Sequence, residues 1–125
     1  MIGIETGIDL VRIDRLATLD PGIKARFIAR VFTPREIGLC GGRDASLAGR
    51  FAAKEAAAKA LGCGIGEVGW QEIEVIEDSK GRPVLLFHGK AGETASRSGW
   101  FSWSVSITHT SEFAAATVTT LLNRE

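Results

Sequence analysis

The chain carries 15 basic and 15 acidic residues among 125, so its formal net charge is zero, and 45% of it is hydrophobic. Such a length folds as one domain, residues 1–125, burying about two-thirds of its unfolded surface around a single core, and the neutral balance argues against a general nucleic-acid binder. Two cysteines, Cys40 and Cys63, make neither a disulfide framework nor a metal-ligand spacing, and no apolar run approaches the roughly 20 residues that cross a bilayer.

Ile2 to Ile13 reads as a strand, with Ile2, Ile4, Ile8, Leu10, Val11 and Ile13 apolar and Gly3 and Gly7 allowing close backbone approach. Glu5 and Asp9 interrupt this stretch, which excludes a signal peptide. The expectation is therefore a soluble cytoplasmic protein with reduced thiols. Asp9 has two readings: a carboxylate on the solvent face of the strand, or one aimed into a cleft. Asp14 to Leu19 predicts a short helical turn. Asp20-Pro21 is a cap with proline at the first helical position, and Ile23, Phe27, Ile28 and Val31 keep a helical period through Phe32. Thr33-Pro34-Arg35-Glu36 is a capping box that starts another short helix, ended by Gly41-Gly42.

Ser46 to Gly62, SLAGRFAAKEAAAKALG, is the strongest helix signal, with seven alanines in seventeen residues and Gly62 as a C-terminal stop. Ser46 is its expected N-cap. Small side chains let such a helix lie close to a sheet. Phe51, Glu55 and Lys59 recur at i, i+4 and i+8, so Glu55 and Lys59 share a face about 6 Å apart along the axis. That spacing fits a helix-surface ion pair, or a face turned toward a site.

Gly62 to Gly66 is a glycine loop without the order of a dinucleotide-binding turn. Trp70 to Ile76 alternates as a strand, Asp78 to Gly81 turns, and Pro83 to Phe87 returns as its hairpin partner. Lys90 to Ser98 predicts a helix. Trp103, Val105 and Ile107 alternate with Ser104, Ser106 and Thr108 along a strand. His109 to Glu112 turns into a last strand, Phe113 to Leu122. The order implies an α+β domain, a mostly antiparallel sheet with the long Ala-rich helix packed on it.

Charge is unevenly spread. Arg12, Arg15, Lys24, Arg26, Arg30 and Arg35 face only Asp14 and Asp20 in their segment, whereas Glu67 to Asp78 holds five acids and no base. The basic segment suits an acidic protein or a phosphorylated small molecule, or it is a solvated helix face. Ser106, Thr108 and His109 at a strand end suit phosphate oxygens, or simply form a turn. No G-x-S-x-G elbow is present. What remains is a hard-cation site, for which Asp9 and Glu55 are the acids set in apolar elements.

GIDLVRI (Gly7 to Ile13), GRFAAKEAAAKALG (Gly49 to Gly62) and VSITHT (Val105 to Thr110) resemble the three signature blocks of the holo-acyl-carrier-protein synthases, the short 4′-phosphopantetheinyl transferases. The resemblance runs over nearly the whole chain. It implies transfer of phosphopantetheine from coenzyme A to a serine of an apo acyl carrier protein, with release of adenosine 3′,5′-bisphosphate, in support of fatty acid or polyketide biosynthesis. It implies Asp9 and Glu55 as Mg²⁺ ligands and Lys59 near the pyrophosphate, these three being catalytic. Arg50, Lys54, Ser106, His109 and Thr110 are implied to contact coenzyme A phosphates, and Gly81 and Pro83 its adenine end. Arg15 and Arg26 match carrier contacts. Family members of this length are homotrimers with the coenzyme A site between subunits. Two stretches depart from the family pattern: the segment between Glu36 and Gly49 is shorter, and Ala56-Ala57-Ala58 stands where an aromatic often follows Glu-Ala. The residues also leave open a hydrolase of coenzyme A or nucleotide diphosphates, and a docking module without chemistry.

Overall fold

A computed structural model describes residues 1–124. The elements run β1 (Ile2–Arg12), α1 (Asp14–Ala17), α2 (Pro21–Val31), α3 (Pro34–Cys40), α4 (Asp44–Leu61), β2 (Ile73–Glu77), β3 (Pro83–Phe87), α5 (Gly89–Arg97), β4 (Trp100–His109) and β5 (Phe113–Asn123). The strands form two antiparallel sheets rather than one, β1-β5-β4 and the β2–β3 hairpin. The α+β expectation holds, and α4 is the element both sheets pack on.

Helix starts follow the local chemistry. Asp20 accepts the Gly22 and Ile23 amides at the head of α2, and Thr33 and Glu36 close a reciprocal capping box at the head of α3. α4 begins two residues before the expected Ser46, with Arg43 as N-cap and Asp44 in its first turn. Asp44 is held there by Lys24 of α2 at 2.7 Å, so a tertiary ion pair outweighs the local serine cap. The helix ends at Gly62, in the left-handed conformation at φ 75°.

Twelve residues of α4 are buried, among them Ala48, Ala52, Ala53, Ala56 and Ala57 at zero exposure. One side of the helix lies on the inner face of the three-stranded sheet, against Ala114, Ala116 and Val118 of β5. Gly7 makes that approach possible: a Cβ there would overlap the Ala56 carbonyl. The other side faces α3 and the hairpin. Trp70 to Glu72, expected as strand, instead forms a short 3₁₀ turn before β2. Trp70 stacks on Phe51 at 5.0 Å and Gln71 donates to the Ala29 carbonyl at 2.9 Å, contacts that draw this segment out of the ladder.

β1 inverts the usual pattern. Its even residues Ile2, Ile4, Ile8 and Leu10 point outward, Ile8 being 65% exposed, while Glu5, Gly7, Asp9 and Val11 face inward. The register Ile8–Thr117–Ser106 puts Ser106 on that same outer face, and the row Asp9–Ala116–Ile107 lies on the inner one. Among the described residues nothing covers the outer face, and no helix is long and apolar enough to cross a membrane.

Candidate active site

Asp9 and Glu55 reach one cavity of about 540 Å³, Asp9 from the inward row of β1 and Glu55 from the flank of α4 that faces it. Lys59, one turn beyond Glu55, donates to Asp9 Oδ1 at 3.1 Å and to the Ile8 carbonyl at 2.9 Å. The expected Glu55–Lys59 helix pair is therefore replaced by a pair between elements. Asp9 is 18% exposed at its side chain and Lys59 55%, so the carboxylate is sheltered while the lysine side chain stays open to solvent. Burial raises the Glu55 carboxyl above its ordinary range, the Asp9 charge raises it further, and Lys59 opposes both.

Two carboxylates and no nitrogen or sulfur donor make a hard-oxygen set. Among the described residues no third acid, histidine or cysteine joins them. That set fits Mg²⁺, which takes one or two carboxylates and fills its other positions with water and phosphate oxygens. The mutual repulsion that raises Glu55 is what a divalent cation between the two acids would relieve.

The rest of this cavity is apolar. Leu10, Val11, Leu16, Leu19, Ile23, Phe27 and Phe51 line it, and Arg15 stands at its rim. The helical period of α2 marked Ile23 and Phe27 as core. They carry a second stripe, turned to the pocket, while Val31 is buried among Phe32, Leu47 and Ala48. Arg26 is exposed on the same helix, and among the described residues neither Arg15 nor Arg26 lies within 4.0 Å of a carboxylate. Arg12, Lys24 and Arg35 do, through Asp14, Asp44 and Glu74.

Most residues implied for coenzyme A lie on the opposite flank of α4. Pro83 and Ser106 share a groove of about 490 Å³ with Asp78, Arg82, Trp103 and Ser104, between the hairpin and the free edge of β4. Gly81 sits beside it in the hairpin turn at φ 80°, where Asp78 accepts the Lys80 and Arg82 amides. Trp103 Nε1 donates to the Leu85 carbonyl at 3.0 Å and ties the two walls together. Arg50 turns toward the hairpin, its Nε on the Val75 carbonyl at 3.2 Å and its Nη2 on Glu77 at 3.3 Å. His109 and Thr110 lie at the exposed tip of the β4–β5 turn, where the Thr110 hydroxyl accepts the Glu112 and Phe113 amides. Asp9 and Glu55 line one cavity and Pro83 and Ser106 another, and no single cavity described contains both pairs.

Lys54 is a correction. Its side chain has zero exposure, and its Nζ donates to Glu36 at 2.7 Å and to the carbonyls of Trp70 and Ile73 at 3.0 and 2.6 Å. With every donor spent on interior oxygens, it has none for a phosphate. The resemblance implied a cofactor contact for Lys54, but it lies about 100° around the helix from its neighbour Glu55 and faces different neighbours. Sequence reasoning also missed Glu36 and Glu74. Each is a nearly buried acid, and His88, given no role, donates to or accepts from Glu74 at 3.0 Å.

The chain is similar in sequence and fold to known proteins. The profile described as "4'-phosphopantetheinyl transferase superfamily" matches residues 5–118. A holo-[acyl-carrier-protein] synthase of Moorella thermoacetica is 45% identical over 118 residues, covering 90% of each chain. The Helicobacter pylori holo-[acyl-carrier-protein] synthase, solved in complex with coenzyme A, superposes with a TM-score of 0.83 at 35% identity, over 92% of this chain and 98% of that one. A Chronobacterium ammoniagenes ACPS–CoA complex gives 0.84 at 30% identity, over 98% and 99%. With its three signature blocks in place and that match running from β1 into β5, this chain belongs to the 4′-phosphopantetheinyl transferase superfamily.

Proposed function

We propose that this chain transfers 4′-phosphopantetheine from coenzyme A to a serine of an apo acyl carrier protein. The observation that carries the reading is that Asp9 and Glu55 line one pocket and Lys59 pairs with Asp9, in a chain whose relatives are named for this reaction. Asp9 and Glu55 would hold Mg²⁺, which would supply charge neutralisation of the diphosphate and its alignment for in-line attack. Lys59, held beside Asp9, stabilises charge developing on the departing phosphate. The serine oxygen bonds to the phosphorus on the pantetheine side as the bridging P–O bond breaks, and adenosine 3′,5′-bisphosphate leaves. Glu55, or a water beside it, takes the hydroxyl proton.

The carrier approaches over α1 and α2, where Arg15 and Arg26 are free to meet an acidic helix and the apolar wall of Leu16, Ile23 and Phe27 accepts an apolar side chain from it. Arg50, Gly81, Pro83, Ser106, His109 and Thr110 hold coenzyme A. Because one chain presents the acids and the cofactor groove on opposite flanks of α4, the working site lies between copies, and we read the assembly as a homotrimer in the cytoplasm. The uncovered outer face of β1 and β5 supports association. Neither nucleic acid nor membrane enters this reading.

Mass spectrometry of an apo carrier incubated with enzyme, coenzyme A and Mg²⁺ tests the proposal. The expected result is a gain of one phosphopantetheine on a single serine. Release of adenosine bisphosphate without any carrier would instead mark a hydrolase, and no mass gain across fatty-acid and polyketide carriers would overturn the reading.

A further inference from the structure

β2 has β3 on one side and no strand on the other. In an antiparallel pair alternate residues turn their amides and carbonyls away from the partner, and here those belong to Ile73 and Val75. Three side chains from two helices occupy the vacant edge. Lys54 takes the Ile73 carbonyl at 2.6 Å, Glu36 Oε2 accepts the Val75 amide at 2.8 Å, and Arg50 Nε donates to the Val75 carbonyl at 3.2 Å. The other carboxylate oxygen of Glu36 receives Lys54 at 2.7 Å and the Thr33 amide at 2.9 Å. Glu36 and Lys54 are fully buried, and Arg50 nearly so.

We propose that Glu36, acting with Lys54, is a positioning residue for the transfer reaction. It accepts the Val75 amide, whose residue also offers its carbonyl to the Arg50 guanidinium, and it sets the hairpin that walls the cofactor groove. Val75 is the link: its N–H is fixed from α3, and its C=O, turned to the same edge, accepts from Arg50 of α4. Nothing in this arrangement touches the reacting atoms. It acts on coenzyme A binding and not on the chemical step, and it rests on Arg50 and the hairpin being cofactor contacts.

The test replaces both buried charges together, Glu36→Gln with Lys54→Met, because removing one alone would strand its partner in the interior. The KM for coenzyme A should rise about tenfold while kcat per folded site stays within about twofold. Hydrogen exchange at the Val75 amide should accelerate, and the calorimetric Kd for coenzyme A should rise in parallel with KM. A second variant, Glu36→Asp, keeps the charge beside Lys54 but withdraws from Val75, and the same three readouts should move in the same direction. A wild-type KM with a protected Val75 amide in either variant would overturn the proposal, as would a fall in kcat at unchanged KM, the mark of a purely structural role. Wild-type enzyme that bound coenzyme A without transferring it would overturn the functional reading, and the Kd and Val75 exchange would still judge Glu36.

Discussion

Glu55 and Asp9 are two like charges that line one pocket, and the proposed chemistry rests on that placement. Asp9→Asn or Glu55→Gln should lower turnover by about 10²–10³-fold with a smaller change in coenzyme A affinity, because the loss falls on transition-state charge; single-turnover mass spectrometry separates the two. A readout independent of activity is available. At 100 times its Kd, Mg²⁺ should stabilise the wild-type protein by about 2.7 kcal/mol in thermal melts, and either variant should lose that increment. Arg15→Glu and Arg26→Glu should raise the KM for the apo carrier about tenfold with kcat preserved, an effect that shrinks as salt rises. Glu74 supplies a pH dependence. Burial alone would raise its carboxyl, yet hydrogen bonds from Thr33 and His88 outweigh burial and hold it below the ordinary 4.5. A depressed native value stabilises the fold above 4.5, and the contribution drains away as pH falls through the native value. Glu74→Gln should therefore cost about 1–3 kcal/mol at pH 7, a gap with wild type that narrows steadily under acid in urea titrations at successive pH values.

At the scale of elements, α4 is buried on two sides and built from alanine because any longer side chain would push a sheet away. The Gly7–Ala56 crossing is its tightest point, and the obstruction there is a backbone carbonyl, which cannot rotate aside. Gly7→Ala should destabilise the fold by about 1–3 kcal/mol, or more if β1 shifts, and should lower activity through Asp9, two residues along the same strand face. Urea denaturation and kcat measured on one sample would link the two. Gly49 is a softer case: a methyl there would come within 2.8 Å of Ile107 Cγ2, a side-chain atom that has room to yield. The hairpin is the element least supported by backbone pairing. Side chains of Glu36, Arg50 and Lys54 replace a third strand along β2, which explains how a two-stranded ribbon is held rigidly enough to wall a groove.

On the proposed reading, the site that one chain leaves incomplete and the face it leaves uncovered belong together. Ile2, Ile4, Ile8 and Leu10 of β1 join Phe113 and Leu121 of β5 on an apolar surface with nothing over it, while the acids and the cofactor groove sit on opposite flanks of α4. Ile8→Lys on the outer face should leave the monomer folded by circular dichroism, dissociate the assembly in sedimentation equilibrium, and abolish transfer by separating the half-sites. Retained activity in a dissociated protein would mean that one chain holds a complete site.

Much of this was legible in residue order. Proline and capping-box signals start α2 and α3, glycines end α3 and α4, and Asp-Ser-Lys-Gly turns the hairpin, because each depends on bonds within a few residues. Asp9, Glu55 and Lys59 stood out in stretches otherwise rich in apolar or small side chains, and the resemblance to a family supplied the roles expected of them. What local order leaves open is direction. Only the tertiary structure decided that β1 turns its isoleucines outward and its aspartate inward, that Lys59 pairs with Asp9 and not with Glu55, and that Lys54 spends its charge on Glu36. Only packing could split the expected sheet in two and draw Trp70 off its strand. Those outcomes depend on which neighbour across the fold offers a carbonyl, a carboxylate or an aromatic face, and that neighbour is tens of residues away in the chain.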